Sequence, residues 1–183
     1  MIHKFFELNK TNLKNKKYFL FYGKNRGLIQ DTIKDKIEPL ASEKILRYEE
    51  NEIISNSDTF IEDISNKSFF ENEKFVIISR ATDKFFKIIE EIIEKKIDNV
   101  SILLISDALD KKSKLRNYFE KSANAAIVAC YNDNEIAIKK IIQEQLKGFN
   151  NLTNQTINLI LNSSGLDRVK VDNEIQKIVT CFI

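Results

Sequence analysis

Residues 18–27 read YFLFYGKNRG, a run of five aromatic or aliphatic side chains that passes directly into a loop with two glycines. So short and continuous an apolar run is typical of a strand that is buried on both faces, as strands are in parallel sheets. A helical pattern of apolar residues begins just after the loop, at Leu28 and Ile29. This stretch therefore predicts a strand, a tight turn and a helix, which is the repeating unit of an α/β fold.

Strand and helix patterns alternate along the following part of the chain. Three more apolar runs have the same character and a weaker one falls between the first two, at residues 75–79, 101–105, 126–130 and 44–48. Apolar residues at helical spacing lie between the runs, for example over 85–93, where Asp83 is expected to cap the helix. The alternation predicts a parallel sheet of about five strands with helices on both faces.

The strand patterns end near Asn132. Three helical stripes follow: one leads to Gly148, one is capped by Thr153 and ends at Gly165, and one is opened by Asp167. We expect an α/β domain over 1–132 and the start of a small all-helical lid domain over 133–183. The third stripe is still in phase at Ile183, so we expect the sequence to be a fragment that stops within a helix.

Composition excludes several classes of protein. The chain has 29 basic and 27 acidic residues, so its net charge of +2 gives little long-range attraction for phosphates, and any DNA contact must be local. Cys130, Cys181 and the single histidine, His3, do not suit a zinc site or a Cys-His catalytic pair, and we expect no metal or cofactor. The sequence has no signal peptide and no apolar run near the roughly 20 residues of a membrane span, which predicts a soluble cytoplasmic protein.

The loop after the first strand lies where α/β sheets bind nucleotides, but it departs from a working phosphate loop, G-x-x-x-x-G-K-[ST]. Gly23 and Gly27 are separated by Lys24, Asn25 and Arg26, and Leu28-Ile29 stand in the positions of the lysine and the hydroxyl residue. The strand at 75–79 ends in Ser79-Arg80 rather than in an acidic magnesium ligand. We interpret residues 23–27 as a degenerate nucleotide loop, in which the glycines only shape a strand-to-helix turn.

Four short patterns, in this order along the chain, resemble the delta subunit of the bacterial clamp loader. They are residues 19–28, the triplet Ser68-Phe69-Phe70, residues 109–116, and residues 165–168 with 173–177. The resemblance extends over essentially the whole chain. It implies an AAA+-like fold, related to P-loop NTPases but without ATPase activity. The third domain of that family, a helical collar, would lie beyond Ile183.

The resemblance also implies a function. A delta subunit is a non-catalytic part of the DNA polymerase III holoenzyme, which is a DNA-directed DNA polymerase. It binds the sliding clamp, the beta subunit, and opens one of its interfaces, together with the gamma/tau and delta prime subunits and primed DNA, with no membrane involved. Ser68, Phe69 and Phe70 occupy the family's clamp-contacting positions, with Phe69 in place of a leucine. The polar residues on both sides favour an exposed apolar pair; the alternative is that both rings close the domain's own core.

Two other functions remain open. One is an active P-loop ATPase with an irregular phosphate loop, which predicts saturable ATP binding and magnesium-dependent hydrolysis. The other is a stand-alone nucleic-acid-binding module, which predicts salt-sensitive affinity for DNA. The residues Lys111, Lys112, Lys114 and Arg116 either contact DNA phosphates or form a solvated helix start.

Overall fold

The computed structural model describes residues 2–4, 13–41, 45–66, 73–97, 99–149 and 152–181. It divides the chain into two compact units. The first, called the sheet unit, consists of Met1–Gly23 and Thr32–Cys130, and the second, called the helical unit, consists of Lys24–Asp31 and Tyr131–Ile183. Residues 24–31 were expected in the α/β domain, whereas the structure groups them with the helices that follow residue 130.

The sheet unit contains one sheet of six parallel strands. In chain order these are β1 (Ile2–Lys4), β2 (Tyr18–Tyr22), β3 (Ile45–Glu49), β4 (Lys74–Ser79), β5 (Val100–Ser106) and β6 (Ala125–Ala129). Their order across the sheet is β1-β6-β2-β5-β4-β3. All five strands expected from the sequence are confirmed, each within one residue at either end.

The sixth strand, β1, was not expected. It is three residues long, lies at the edge of the sheet, and pairs with β6 from Ile2↔Ile127 to Lys4↔Ala129. A segment this short carries no periodic pattern of its own. Its extended conformation comes from hydrogen bonds to β6, so only the folded chain reveals it.

The central strand is β2, which lies between β5 and β6 and has all five side chains buried. Burial on both faces explains why its sequence is a continuous apolar run instead of an alternating one. The chain leaves β2 for the far edge of the sheet and returns later on the other side, at β6. The strand order therefore reverses at β2, and open α/β sheets bind their ligands at such a point, beyond the carboxyl ends of the strands.

Helices connect the strands. The first, α1 (Arg26–Thr32), runs into a π-helical turn, Ile33–Ile37, and is followed in the sheet unit by α2 (Glu50–Ser55), α3 (Ser57–Ser65), α4 (Phe86–Glu94) and α5 (Lys114–Lys121). The apolar faces of α3, α4 and α5 join the sheet in one core. Its fully or nearly fully buried members include Ile61, Ile64, Phe85, Ile89, Ile92, Leu115 and Phe119.

The expectation that Asp83 caps its own helix is wrong. Thr82 caps the short 3-10 helix Asp83–Phe85. The carboxylate of Asp83 accepts hydrogen bonds from the start of α5 instead, from Ser113 Oγ at 2.6 Å, Lys114 N at 3.1 Å and Leu115 N at 3.0 Å. These amides have no partner within their own helix, so a carboxylate from a different loop can satisfy them.

The helical unit contains α6 (Glu135–Gln145), α7 (Asn154–Ser164) and α8 (Arg168–Cys181). Its core consists of Ile138, Ile142, Leu146, Ile157, Ile160, Leu161, Val171 and Ile175. The predicted helix ends are confirmed, because Thr153 caps α7, Gly165 ends it in the left-handed conformation, and Asp167 accepts the Val169 amide of α8. Residues 182–183, where the third stripe was expected to continue, lie outside the described residues.

Candidate functional site

Gly23, the first glycine of the loop that follows β2, is required by backbone packing at the end of that strand. Its φ angle is +138°, and a Cβ atom at this position would lie 2.1 Å from the carbonyl oxygen of Cys130. Gly23 N donates to Ser106 O at 3.2 Å, and Cys130 N donates to Tyr22 O at 2.8 Å. The glycine therefore permits the close approach of the chain after β6, with no phosphate needed to explain it.

The middle of the loop binds to groups of its own chain. Asn25 is buried; its Oδ1 accepts Leu28 N at 3.0 Å, and its Nδ2 donates to Tyr131 O at 3.0 Å and to Asp133 Oδ2 at 2.7 Å. The neighbouring Lys24 and Arg26 are exposed. In a phosphate loop such donors face the ligand. The Asn25 amide is instead engaged within the protein.

An arginine outside the loop is held by two carboxylates of the same unit. Arg168, the first residue of α8, donates to Asp133 through Nε at 2.5 Å and Nη2 at 2.9 Å, and to Asp31 through Nη1 at 3.0 Å. The side chains of Arg168 and Asp133 are 11% and 9% exposed. Paired N–H donors facing both oxygens of one carboxylate form a strong contact. We call Arg168, Asp133, Asp31 and Asn25 the Arg168 network.

The network keeps its members charged in spite of their burial. Burial alone raises the pKa of Asp133, but the hydrogen bonds from Arg168 and Asn25 and the charge of Arg168 outweigh it, and the pKa is lowered. Burial lowers the pKa of Arg168, and the hydrogen bonds and charges of Asp133 and Asp31 reverse this, so that its pKa is raised. Both shifts favour the ion pair.

The second glycine, Gly27, packs against the same arginine. A Cβ atom on Gly27 would lie 2.4 Å from Cβ of Arg168. The cleft beside this contact has a volume of about 500 Å3. It is lined by Lys24, Asn25, Arg26, Asn132, Asp133, Gly165, Leu166, Asp167, Arg168 and Val169. The two glycines of the loop thus have separate packing roles, one in each unit.

The two positions that follow Gly27, where a phosphate loop carries its lysine and its hydroxyl residue, are apolar and buried. Leu28 and Ile29, in the positions of the lysine and hydroxyl residue, are 5% and 4% exposed. At the end of β4, Arg80 has a φ angle of +59° and pairs with Glu49 at 3.3 Å. A buried acid nearby, Glu50, was not predicted from the sequence; it accepts hydrogen bonds from the Thr82 amide at 2.7 Å and the Thr82 hydroxyl at 3.0 Å. Among the described residues, no group of acidic, histidine and cysteine side chains could hold a metal ion.

The expected clamp-contacting residues Ser68, Phe69 and Phe70 lie outside the described residues. The elements on either side are α3, which ends at Ser65, and β4, which begins at Lys74. The side chain of Lys74 joins them, since its Nζ donates to Asp63 O at 2.6 Å and to Asn66 O at 2.9 Å. The exposure of Phe69 and Phe70 therefore stays a prediction.

The Arg168 network has no signal in the sequence. Arg168 belongs to one of the four patterns of the resemblance, Asp133 is only the expected start of a domain, and nothing marks Asp31. Asp31 and Arg168 are 137 positions apart. No local spacing signals such a contact, and only an alignment in which these positions change together would have done so.

The chain shares its α/β fold with two proteins of known structure. No family model and no curated protein matches it. It is similar in structure to the Bacillus subtilis DNA clamp loader delta protein, with a TM-score of 0.64 and 17% sequence identity, over 97% of this chain and 57% of that chain. It is also similar to AMPPCP-bound DnaA from Aquifex aeolicus, with a TM-score of 0.56 and 18% identity, over 94% and 57% of the two chains. The chain thus spans a little over half the length of both proteins.

None of the described helices is long and apolar enough to cross a bilayer.

Proposed function

We propose that this chain works as a delta subunit of a replicative clamp loader, which binds and opens the sliding clamp without hydrolysing ATP itself. The observation that carries the proposal is the likeness in fold to a clamp loader delta protein over 97% of the chain. The proposed partners are the sliding clamp, the gamma/tau and delta prime subunits, and primed DNA in the assembly, and the proposed location is the cytoplasm.

The chemistry of the loop supports a role without hydrolysis. A buried leucine and a buried isoleucine stand in the positions of the phosphate-binding lysine and the magnesium-binding hydroxyl. Arg168 is neutralised by Asp133 and Asp31, so its charge is already matched within the chain. An ATPase needs positively charged side chains that are free to stabilise the phosphates and the transition state.

Clamp binding is proposed to rest on Phe69 and Phe70. Burying each ring in a partner's pocket contributes roughly 1.5 to 3 kcal/mol, which is the size of an interface hot spot. We expect the chain to bind its organism's sliding clamp in calorimetry. The double variant Phe69→Ala/Phe70→Ala is expected to bind at least about 100-fold more weakly.

A matched control is the double variant Tyr131→Ala/Ile136→Ala, which removes two side chains that are 66% and 78% exposed in the helical unit. It should bind the clamp like the unchanged protein. Failure of the unchanged chain to bind, or equal binding by the Phe69/Phe70 variant, would contradict the proposed function. Unfolding of that variant, seen by circular dichroism and melting, would show instead that the two rings belong to the core.

The alternative, an ATPase with an irregular loop, is favoured by one observation, the likeness to DnaA in its AMPPCP-bound form. It is tested by titrating the chain with ATP and magnesium. We expect no saturable heat and no phosphate release. Saturable binding followed by hydrolysis, abolished by a change at the exposed Lys24, would support the ATPase over the clamp-opening subunit.

A further inference from the structure

Two loops of the sheet unit that are distant in sequence form a basic surface. Lys84 follows β4, and Lys111, Lys112 and Lys114 follow β5. The hydrogen bonds of Asp83 to Ser113 Oγ and to the amides of Lys114 and Leu115 hold the two loops together. Since Lys84 follows Asp83 and Lys112 precedes Ser113, these bonds bring the lysines to one place. We call Lys84, Lys111, Lys112 and Lys114 the four-lysine surface.

The loop that carries most of these lysines has a fixed shape. Arg116 Nη1 donates to Leu109 O at 3.1 Å, and Asn117 Nδ2 donates to Lys111 O at 2.9 Å and to Ser113 O at 2.8 Å. Ser113 N also donates to Asp110 O at 3.0 Å. Side chains of α5 thus bond the carbonyls on both sides of Lys112. A ligand that binds this loop meets a backbone that is already ordered, which lowers the entropy cost of binding.

The charge of the four-lysine surface is largely unmatched. All four lysines are exposed, and none forms an ion pair with a carboxylate that the structure describes. Residues 80–87 and 107–116 together carry seven basic and three acidic side chains, a net charge of +4, which exceeds the +2 of the whole chain. The rest of the chain is therefore net acidic, and the positive charge is concentrated at these two loops.

The carboxylate of the nearest acid, Asp83, is already engaged in the hydrogen bonds that join the two loops. Burial raises its pKa, but the hydrogen bonds from Ser113, Leu115 and Lys114 and the charge of Lys114 outweigh this and lower it. The other two acids of these segments, Asp107 and Asp110, are exposed. Two of the seven cations, Arg80 and Arg116, are paired with Glu49 and Glu120, so five cations remain beside these three carboxylates. The four lysines are held close together, and like charges held in this way repel one another until an anion binds.

The surface is polar, which favours a nucleic acid over a protein partner. The exposed large apolar side chains of the described residues all lie elsewhere; they are Ile54, Tyr131, Ile136, Leu159, Leu166 and Val169. Protein interfaces depend on buried apolar anchors, whereas interfaces with nucleic acid are strongly positive and make most of their contacts to phosphates. We infer that the four-lysine surface binds the phosphate backbone of a nucleic acid, without reading its sequence.

This inference is separate from the proposed clamp contact, because the residues are different. Only the choice of primed DNA as the probe rests on the proposed function. We expect the chain to bind a fluorescein-labelled primed duplex at about 50 mM salt with a Kd in the range of about 1 to 100 μM, measured by anisotropy. The logarithm of the binding constant should fall linearly with the logarithm of the salt concentration.

The variant Lys84→Gln/Lys111→Gln/Lys112→Gln/Lys114→Gln is expected to bind at least about 10-fold more weakly and to reduce the salt slope by roughly 3. The matched control changes four other exposed lysines to glutamine, Lys34, Lys140, Lys147 and Lys170. It has the same net charge and should keep most of the affinity and the slope. Equal losses in the two variants, an unchanged slope in the first, or no binding by the unchanged chain would overturn the inference.

A polyglutamate peptide with the same number of charges as the DNA tests the kind of partner. It should compete for the surface at least about 10-fold less well than DNA. Equal competition would overturn the assignment to nucleic acid and indicate an acidic protein partner. Clamp binding by the same lysine variant, measured by calorimetry, should be unchanged, so that failure of this inference and failure of the proposed function are distinguished.

Discussion

Replacing Arg168 by alanine is expected to lower the free energy of unfolding by about 3 kcal/mol. The change leaves Asp133, which is 9% exposed, without the two hydrogen bonds and the positive charge that Arg168 provides. A buried carboxylate without a counter-ion is costly, because the protein interior does not replace the water that it loses. The loss is measured by urea unfolding at neutral pH, followed by circular dichroism.

The control is Lys177→Ala, which removes a surface ion pair. Lys177 Nζ lies 2.7 Å from Glu174 Oε1, but the two side chains are 69% and 33% exposed. Water screens such a pair, so we expect a loss of less than about 1 kcal/mol. If Arg168→Ala cost no more than Lys177→Ala, the Arg168 network would not be a source of stability.

The same network predicts a dependence of stability on pH. The pKa of Asp133 is lowered in the folded protein, so its stabilising contribution is fully present above the unfolded pKa of about 3.9 and is lost as the pH falls through the folded value. In Arg168→Ala the burial of Asp133 remains but its partner is gone. We therefore expect this variant to lose less stability on acidification than the unchanged protein does.

Replacing Gly23 by alanine is expected to cost roughly 3 kcal/mol or more, or to prevent folding. The added Cβ would stand 2.1 Å from the carbonyl oxygen of Cys130, and the φ angle of +138° disfavours any residue but glycine. The contact is with backbone, so no side-chain rotation relieves it. Thermal melting of the purified variant, or its absence from the soluble fraction, provides the measurement.

Two other glycines provide a graded comparison. Gly165 has a φ angle of +59° with no atom within 4 Å of an added Cβ, so alanine there should cost about 1 kcal/mol. Gly148 has neither a positive φ angle nor a neighbour within 4 Å, and alanine there should change stability by less than about 1 kcal/mol. Similar melting temperatures for all three variants would contradict the packing role of Gly23.

Gly23 and the Arg168 network belong to the loop at residues 23–27 and its surroundings, on which the proposed absence of ATP hydrolysis depends. If Gly23 and Gly27 are explained by close backbone and side-chain packing, neither is evidence for a phosphate site. The Arg168 network adds that an arginine near the loop already has its anionic partners within the chain. Together these contacts account for the glycines and the polar groups of the loop by the packing and stability of the fold.

Much of the fold could be predicted from the sequence. The strands at 18–22 and 101–105 are apolar runs that end where a glycine or polar residues begin, and both are confirmed. The end of α7 at Gly165 is also confirmed. It could be predicted because a helix end in the left-handed conformation favours glycine. The edge strand β1 and the grouping of residues 24–31 with the helical unit could not be predicted, because they depend on partners elsewhere in the chain.

The alternation of strands and helices, and the positions at which most of them end, can be predicted without a structure. These properties follow from the burial of neighbouring side chains and from capping groups a few residues away. The capping of α5 by Asp83 and the binding of Arg168 to Asp31 and Asp133 are visible only in the folded chain. A charged side chain takes whichever partner the folded chain brings within hydrogen-bonding distance, and residues 137 positions apart share no local pattern that records it.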